Sequence, residues 1–139
     1  MRIVRLILSA TLAASALVGV QILSTDLWLW SAAPTHAYGL MAFVALDVAL
    51  IFGTWRATRF AVFGALLTAT VQLGAMLGDI IAGEPAGLPV SVFRNYLLAD
   101  TAYLGLLITQ GFIMAIAVGT WALPHMHGHW LASLKTSQK

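Results

Sequence analysis

Long apolar runs alternate with short clusters of charged and turn-forming residues along the whole chain. The runs cover residues 3–23, 35–55, 60–82 and 97–123. At about 1.5 Å of rise per residue, a helix of about 20 residues crosses a hydrocarbon core of about 30 Å. Backbone groups left unpaired in lipid are costly, so helices are the expected form. The pattern predicts an all-α integral membrane protein, a four-helix transmembrane bundle occupying residues 1–139 as one domain. Residues Trp55 to Arg59 read as a tight turn that makes spans two and three an antiparallel hairpin. The connection from Gly83 to Tyr96 is longer, holds Pro85 and Pro89, and is apolar enough to lie on the membrane or against a partner. Pro124 is expected to end span four, leaving 124–139 as a short interfacial tail.

Composition agrees with the pattern. Hydrophobic residues make up 60% of the chain and charged residues 9%, where a soluble domain has about 25% charged. Arg2 and Arg5 precede the first run, and Ala14-Ser15-Ala16 resembles a leader-peptidase site. The run continues past that site to Leu23, so it reads as a retained helix. The absence of cysteine excludes disulfides, thiolate metal sites and cysteine nucleophiles. A net charge of +2 spread over loops makes no basic face, and no nucleic-acid partner is expected. Of the 7 Lys and Arg, all but Arg94 fall on one side of a four-span thread, which assigns that side, and with it both termini, to the cytoplasm. Asp26, Asp79, Glu84 and Asp100 fall at the other side. Aromatics mark both interfaces, with Trp28, Trp30, Tyr38, Phe93 and Tyr96 outside and Trp55, Phe60, Trp121 and Trp130 inside. The expected location is the plasma membrane.

Asp47 breaks the pattern by standing in mid-span. A carboxylate at the bilayer centre costs about 2.5–3.5 kcal/mol on insertion scales, and the low dielectric disfavours its ionised form. Helical periodicity returns His36 and Thr54 to within about 20° of Asp47, so the three share a stripe. His36 and Asp47 are about 16 Å apart along the axis and cannot touch. Thr68, Gln72 and Asp79 repeat the arrangement on span three, and Asp100, Tyr103 and Gln110 on span four. Matching depth across the hairpin makes Thr68 and Gln72 the expected hydrogen-bond partners of Asp47, with Gln110 next. Two roles are open: a protonated acid that locks the bundle, or a proton relay or cation site that also uses His36 and Asp79. Asp79, Arg94 and Asp100 read together as an outer charge cluster.

Small residues recur at four-residue spacing in Ala45, Ala49 and Gly53, in Gly74 and Gly78, and in Gly111, Ala115 and Gly119. Such stripes let helices approach closely in lipid, either within a compact bundle or between subunits. His125, His127 and His129 offer imidazoles that suit copper or zinc, although no neighbouring carboxylate or thiolate completes a ligand set. His36 and His125 lie at opposite ends of the membrane and cannot ligate one haem. No phosphate-binding glycine loop, G-x-S-x-G or H-E-x-x-H is present. The chain alone therefore completes no cofactor site. The leading expectation is a small non-catalytic subunit of a larger membrane complex of the respiratory-oxidase or membrane-oxygenase kind, with other integral membrane subunits and lipid as partners. The alternatives are a homo-oligomeric proton or ion channel or transporter built on the Asp47 stripe, and a membrane enzyme with its metal at the histidine tail.

Overall fold

In a computed structural model of the chain, residues 2–56, 59–82 and 89–136 are described, with 121–136 as helical backbone. Among the described residues six helices follow in order: α1 (Arg2–Thr25), α2 (Leu27–Ala32), α3 (Pro34–Trp55), α4 (Arg59–Ala82), α5 (Val90–Ala99) and α6 (Thr101–Thr136). Segments of α1, α3, α4 and α6 are long and apolar enough to cross a membrane: Ile3–Thr25, Pro34–Trp55, Phe60–Ile81 and Thr101–Thr120. The chain is an all-α, multi-pass membrane protein whose four spanning helices form a bundle, an architecture consistent with the plasma membrane. Helix α1 packs on α3 and α6, and α4 packs on the same two, so the four close into a ring.

The inward faces follow the expected helical spacing. On α1 the buried Leu8, Leu12, Ser15, Gly19 and Ile22 alternate steps of four and three, with Ser9 and Ala16 buried beside them. On α6 they are Tyr103, Leu106, Gln110, Ile113 and Ala117. Outward positions carry large apolar groups such as Phe52, Phe63 and Phe112, which suits a surface that meets lipid rather than water. The interior divides into two apolar clusters, one around Ile22, Leu29, Leu40, Tyr103 and Leu106, the other around Leu8, Leu12, Ala65, Ala69 and Ile113. Ser15, Asp47, Gln72 and Gln110 lie between them and are all buried.

Short helices α2 and α5 sit at one end of the bundle. Asp26 leaves helical geometry (φ −93°, ψ 87°), and its carboxylate accepts from the Leu29 amide at 3.0 Å, capping α2. Pro34 then opens α3 and pushes Ala33 out of the helical region (φ −137°, ψ 58°). Asp100 repeats the device. It is extended (φ −85°, ψ 120°) and its Oδ1 accepts from the Ala102 amide at 2.7 Å. The boundary expected at Leu97 therefore differs from the structure: Leu97 belongs to α5, and the long helix begins at Thr101. An aspartate that can accept from a free amide favours a helix start over a helix interior. The helical backbone also continues through Pro124, the expected terminator, to Thr136. A proline deletes one backbone hydrogen bond, and membrane helices tolerate that loss.

Two glycines are in close interhelix contact. A Cβ at Gly19 would lie 2.5 Å from Val44 Cγ2, where α1 meets α3. A Cβ at Gly64 would lie 2.8 Å from Leu50 Cδ2. Valine is stiff at χ1, whereas the tip of a leucine can swing away. Gly19→Ala should therefore destabilise the bundle by about 1–3 kcal/mol, with recovery in the Gly19→Ala/Val44→Ala pair. Gly64→Ala should be close to neutral. Thermal unfolding of the three proteins in one detergent checks the contrast.

A buried polar layer and an acid-rimmed cavity as the candidate functional site

The polar layer starts from Asp47 on α3, which is 2% exposed. Its Oδ2 accepts from the Ser15 hydroxyl of α1 at 2.6 Å, and Ser15 Oγ accepts from Gln110 Nε2 of α6 at 2.6 Å. One hydrogen-bond chain thus joins three helices. Two turns further along α3, Thr54 meets Ser9 of α1 at 2.6 Å. Its hydroxyl also lies 2.7 Å from the Ile51 carbonyl. The layer is rich in acceptors. Asp47 Oδ1, Gln72 Oε1 and Gln110 Oε1 are buried without a hydrogen-bond partner among the described residues. All three are oxygens, so only proton donors or cations can satisfy them.

These contacts differ from the depth-matched expectation. Asp47 bonds neither Thr68 nor Gln72; its partner is Ser15, and Gln110 follows through that hydroxyl. Thr68 is half-buried on α4. Of the His36, Asp47 and Thr54 stripe, Asp47 and Thr54 bond α1, whereas His36 turns to α4, with Nε2 3.2 Å from Asp79 Oδ2. Ser9 and Ser15 were not among the expected residues. The signal was available, because their spacing on α1 nearly repeats the spacing of Thr54 and Asp47 on an antiparallel neighbour.

A second polar constellation holds the end where α2 and α5 lie. Asp26, besides capping α2, accepts from the hydroxyls of Tyr96 on α5 and Tyr103 on α6, the latter at 2.9 Å. The rings of Trp28, Tyr96 and Tyr103 pack in sequence at tilted angles of 49° and 58°, with centroids 4.5 Å and 5.7 Å apart. Trp30 donates its indole N–H to the Leu23 carbonyl at 2.8 Å, satisfying the end of α1. Asp79, Arg94 and Asp100, read together from the sequence, form no ion pair with one another among the described residues. Asp79 pairs with His36, Asp100 caps α6, and Arg94 is exposed.

Between α3, α4 and α6 at this end lies a cavity of about 280 Å³. Its walls are apolar, built from Leu40, Phe43, Met76 and Leu106. Gln72 lines it within the membrane span, and His36 and Asp79 line it near the helix ends.

The outward small residues are separate from the bundle contacts. Ala45, Ala49, Gly74, Gly78 and Ala115 are exposed, and Gly53, Gly111 and Gly119 are half-exposed. Added Cβ atoms at Gly74, Gly78, Gly111 and Gly119 would meet nothing within 4 Å. The bundle instead uses Gly19, Ala61, Ala65 and Ala69. The side chains of His125, His127 and His129 lie outside the described residues. Among the described residues no group of three His, Cys, Asp or Glu side chains is placed to hold a metal. No protein family, curated protein or solved structure matches the chain.

Proposed function

We propose that the chain is a non-catalytic subunit of a larger membrane complex, packing on neighbouring helices through the outward faces of α3, α4 and α6. The observation that carries this reading is the unused set of small residues. Gly74, Gly78, Gly111 and Gly119 face open space, while a different set builds the bundle. A small residue on a lipid-facing surface gains nothing from lipid, but it lets another helix approach closely. By analogy alone, the complex is one of the respiratory-oxidase or membrane-oxygenase kind, in which this chain would brace and seal the catalytic core. In this reading the end carrying Arg5 and Arg56 faces the cytoplasm and the acidic end faces out, in accord with the positive-inside tendency. The channel alternative draws less support, because Asp47 lies inside the packed bundle and is bonded there.

The test is gentle solubilisation of native membranes followed by native electrophoresis and mass spectrometry. The expected result is co-migration with larger membrane subunits in a fixed ratio. The Gly74→Leu/Gly78→Leu protein should run free of them while keeping the thermal stability of the isolated chain. A parent protein that migrates alone, or as a homo-oligomer conducting ions, would overturn the proposal.

A further inference from the structure

The cavity between α3, α4 and α6 has two polar stations. The inner one is Gln72, which is 3% exposed, with a buried Oε1 that has no hydrogen-bond partner among the described residues. The outer one is Asp79, whose side chain is 26% exposed. His36 holds its Oδ2, and Oδ1 has no partner among the described residues. Along α4 the two stations are about 10 Å apart, and the walls between them are apolar, with Phe43 and Met76 on facing helices.

This chemistry selects among occupants. A lipid acyl chain would fill the apolar walls but leave the Gln72 amide oxygen buried and unpaired, which is costly. A metal ion would find one carboxylate and the one imidazole already bonded to it, with no third His, Cys, Asp or Glu among the described residues placed to complete a ligand set. An anion would meet the Asp79 carboxylate, and no Arg or Lys among the described residues lines the cavity to offset it. A molecule with a positive head, an apolar body and a terminal hydrogen-bonding group satisfies all three zones. We propose that this cavity binds a small amphiphilic organic cation, a protonated amine. Its ammonium lies on Asp79, its body runs along Phe43 and Met76, and its far end bonds the Gln72 amide. The inference does not depend on membership of a complex.

The probe is 4-(4-aminobutyl)phenol, which carries an ammonium and a phenol about as far apart as the two stations. Binding is measured by equilibrium dialysis against the full chain in lipid nanodiscs, with empty discs subtracted. Saturable one-to-one binding is expected. The alcohol and carboxylic acid that replace the amine should bind at least tenfold more weakly. Gly39 lines the cavity and an added Cβ there meets nothing within 4 Å, so Gly39→Leu should fill the space, keep the fold and reduce binding at least tenfold. Asp79→Asn should weaken the amine at least tenfold while leaving the alcohol unchanged. Gln72→Leu should weaken the probe at least fivefold and yet raise the melting temperature of the unliganded protein, because it removes a buried amide oxygen that has no partner among the described residues. A purely structural Gln72 would lower that temperature instead. Binding no greater than to empty discs would overturn the proposal. So would equal binding of amine, alcohol and acid, unchanged affinity in Gly39→Leu, or a less stable unliganded Gln72→Leu protein.

Discussion

Asp47→Leu is expected to destabilise the bundle by about 3 kcal/mol, whereas Asp47→Asn should stay within about 1 kcal/mol of the parent. The two substitutions have similar size and both remove the carboxylate. They differ in what they leave for Ser15 and Gln110. With leucine, the Ser15 hydroxyl loses its acceptor, and the chain from Gln110 ends on an oxygen with nothing beyond it. Each polar group stranded in this way costs about 1–3 kcal/mol. Asparagine keeps an acceptor for Ser15 and adds an N–H in a layer where the unpartnered atoms are all acceptors. The measurement is reversible unfolding in mixed micelles. A double-mutant cycle of Ser15→Ala with Asp47→Leu should give a coupling of about 0.6–1.7 kcal/mol, the range of interhelical hydrogen bonds in membranes. Replacing Ser15, Asp47 and Gln110 together by Ala, Leu and Leu should recover much of the loss, since no partner is then left behind. A leucine variant as stable as the parent would show that the polar layer does not hold α1, α3 and α6 together.

The second large effect is expected at Asp26. Asp26→Ala should cost about 2–3 kcal/mol, combining loss of a helix cap with loss of a shared acceptor for two tyrosines. Tyr103 is 7% exposed and has little access to water as a substitute acceptor. The loss should be local. Amide hydrogen exchange should accelerate in α2 and α5, which Asp26 ties to α6. Exchange around Ser15 and Gln110 should stay unchanged, because a complete apolar cluster separates the two layers. Asp26→Asn keeps an oxygen for the Leu29 amide and should lose about 1 kcal/mol. Uniform acceleration of exchange through all four spanning helices would instead make Asp26 part of the global core.

Both predictions rest on residues that the sequence exposed to very different degrees. Asp47 was conspicuous because a lone acid in a hydrocarbon span has no neutral explanation. Ser15 was far less conspicuous, because a serine in a transmembrane run is common and this one lies in a small-residue triplet that resembles a cleavage site, so that only its spacing from Ser9 marked it. Asp26 could be counted among the outer acids, yet its work as cap and tyrosine acceptor needed α5 and α6 folded back over α2. The small-residue stripes were legible as stripes. Their outward direction was not, since a periodicity defines a face without saying what the face meets.

The number of spans and their helical form follow from the sequence alone. The physical reason is that lipid leaves a backbone almost no alternative to the helix, and apolar length is read directly against membrane thickness. Which helix faces which was decided only by tertiary packing. Closing the ring put α1 beside α3 and α6, and so gave Asp47 to Ser15 rather than to its hairpin neighbour. Depth matching along one hairpin fixes how deep a side chain lies, but rotation about the helix axis depends on every neighbour at once. The cavity beside Gln72 has the same origin, because an internal space is made by several helices jointly and belongs to none of them in sequence.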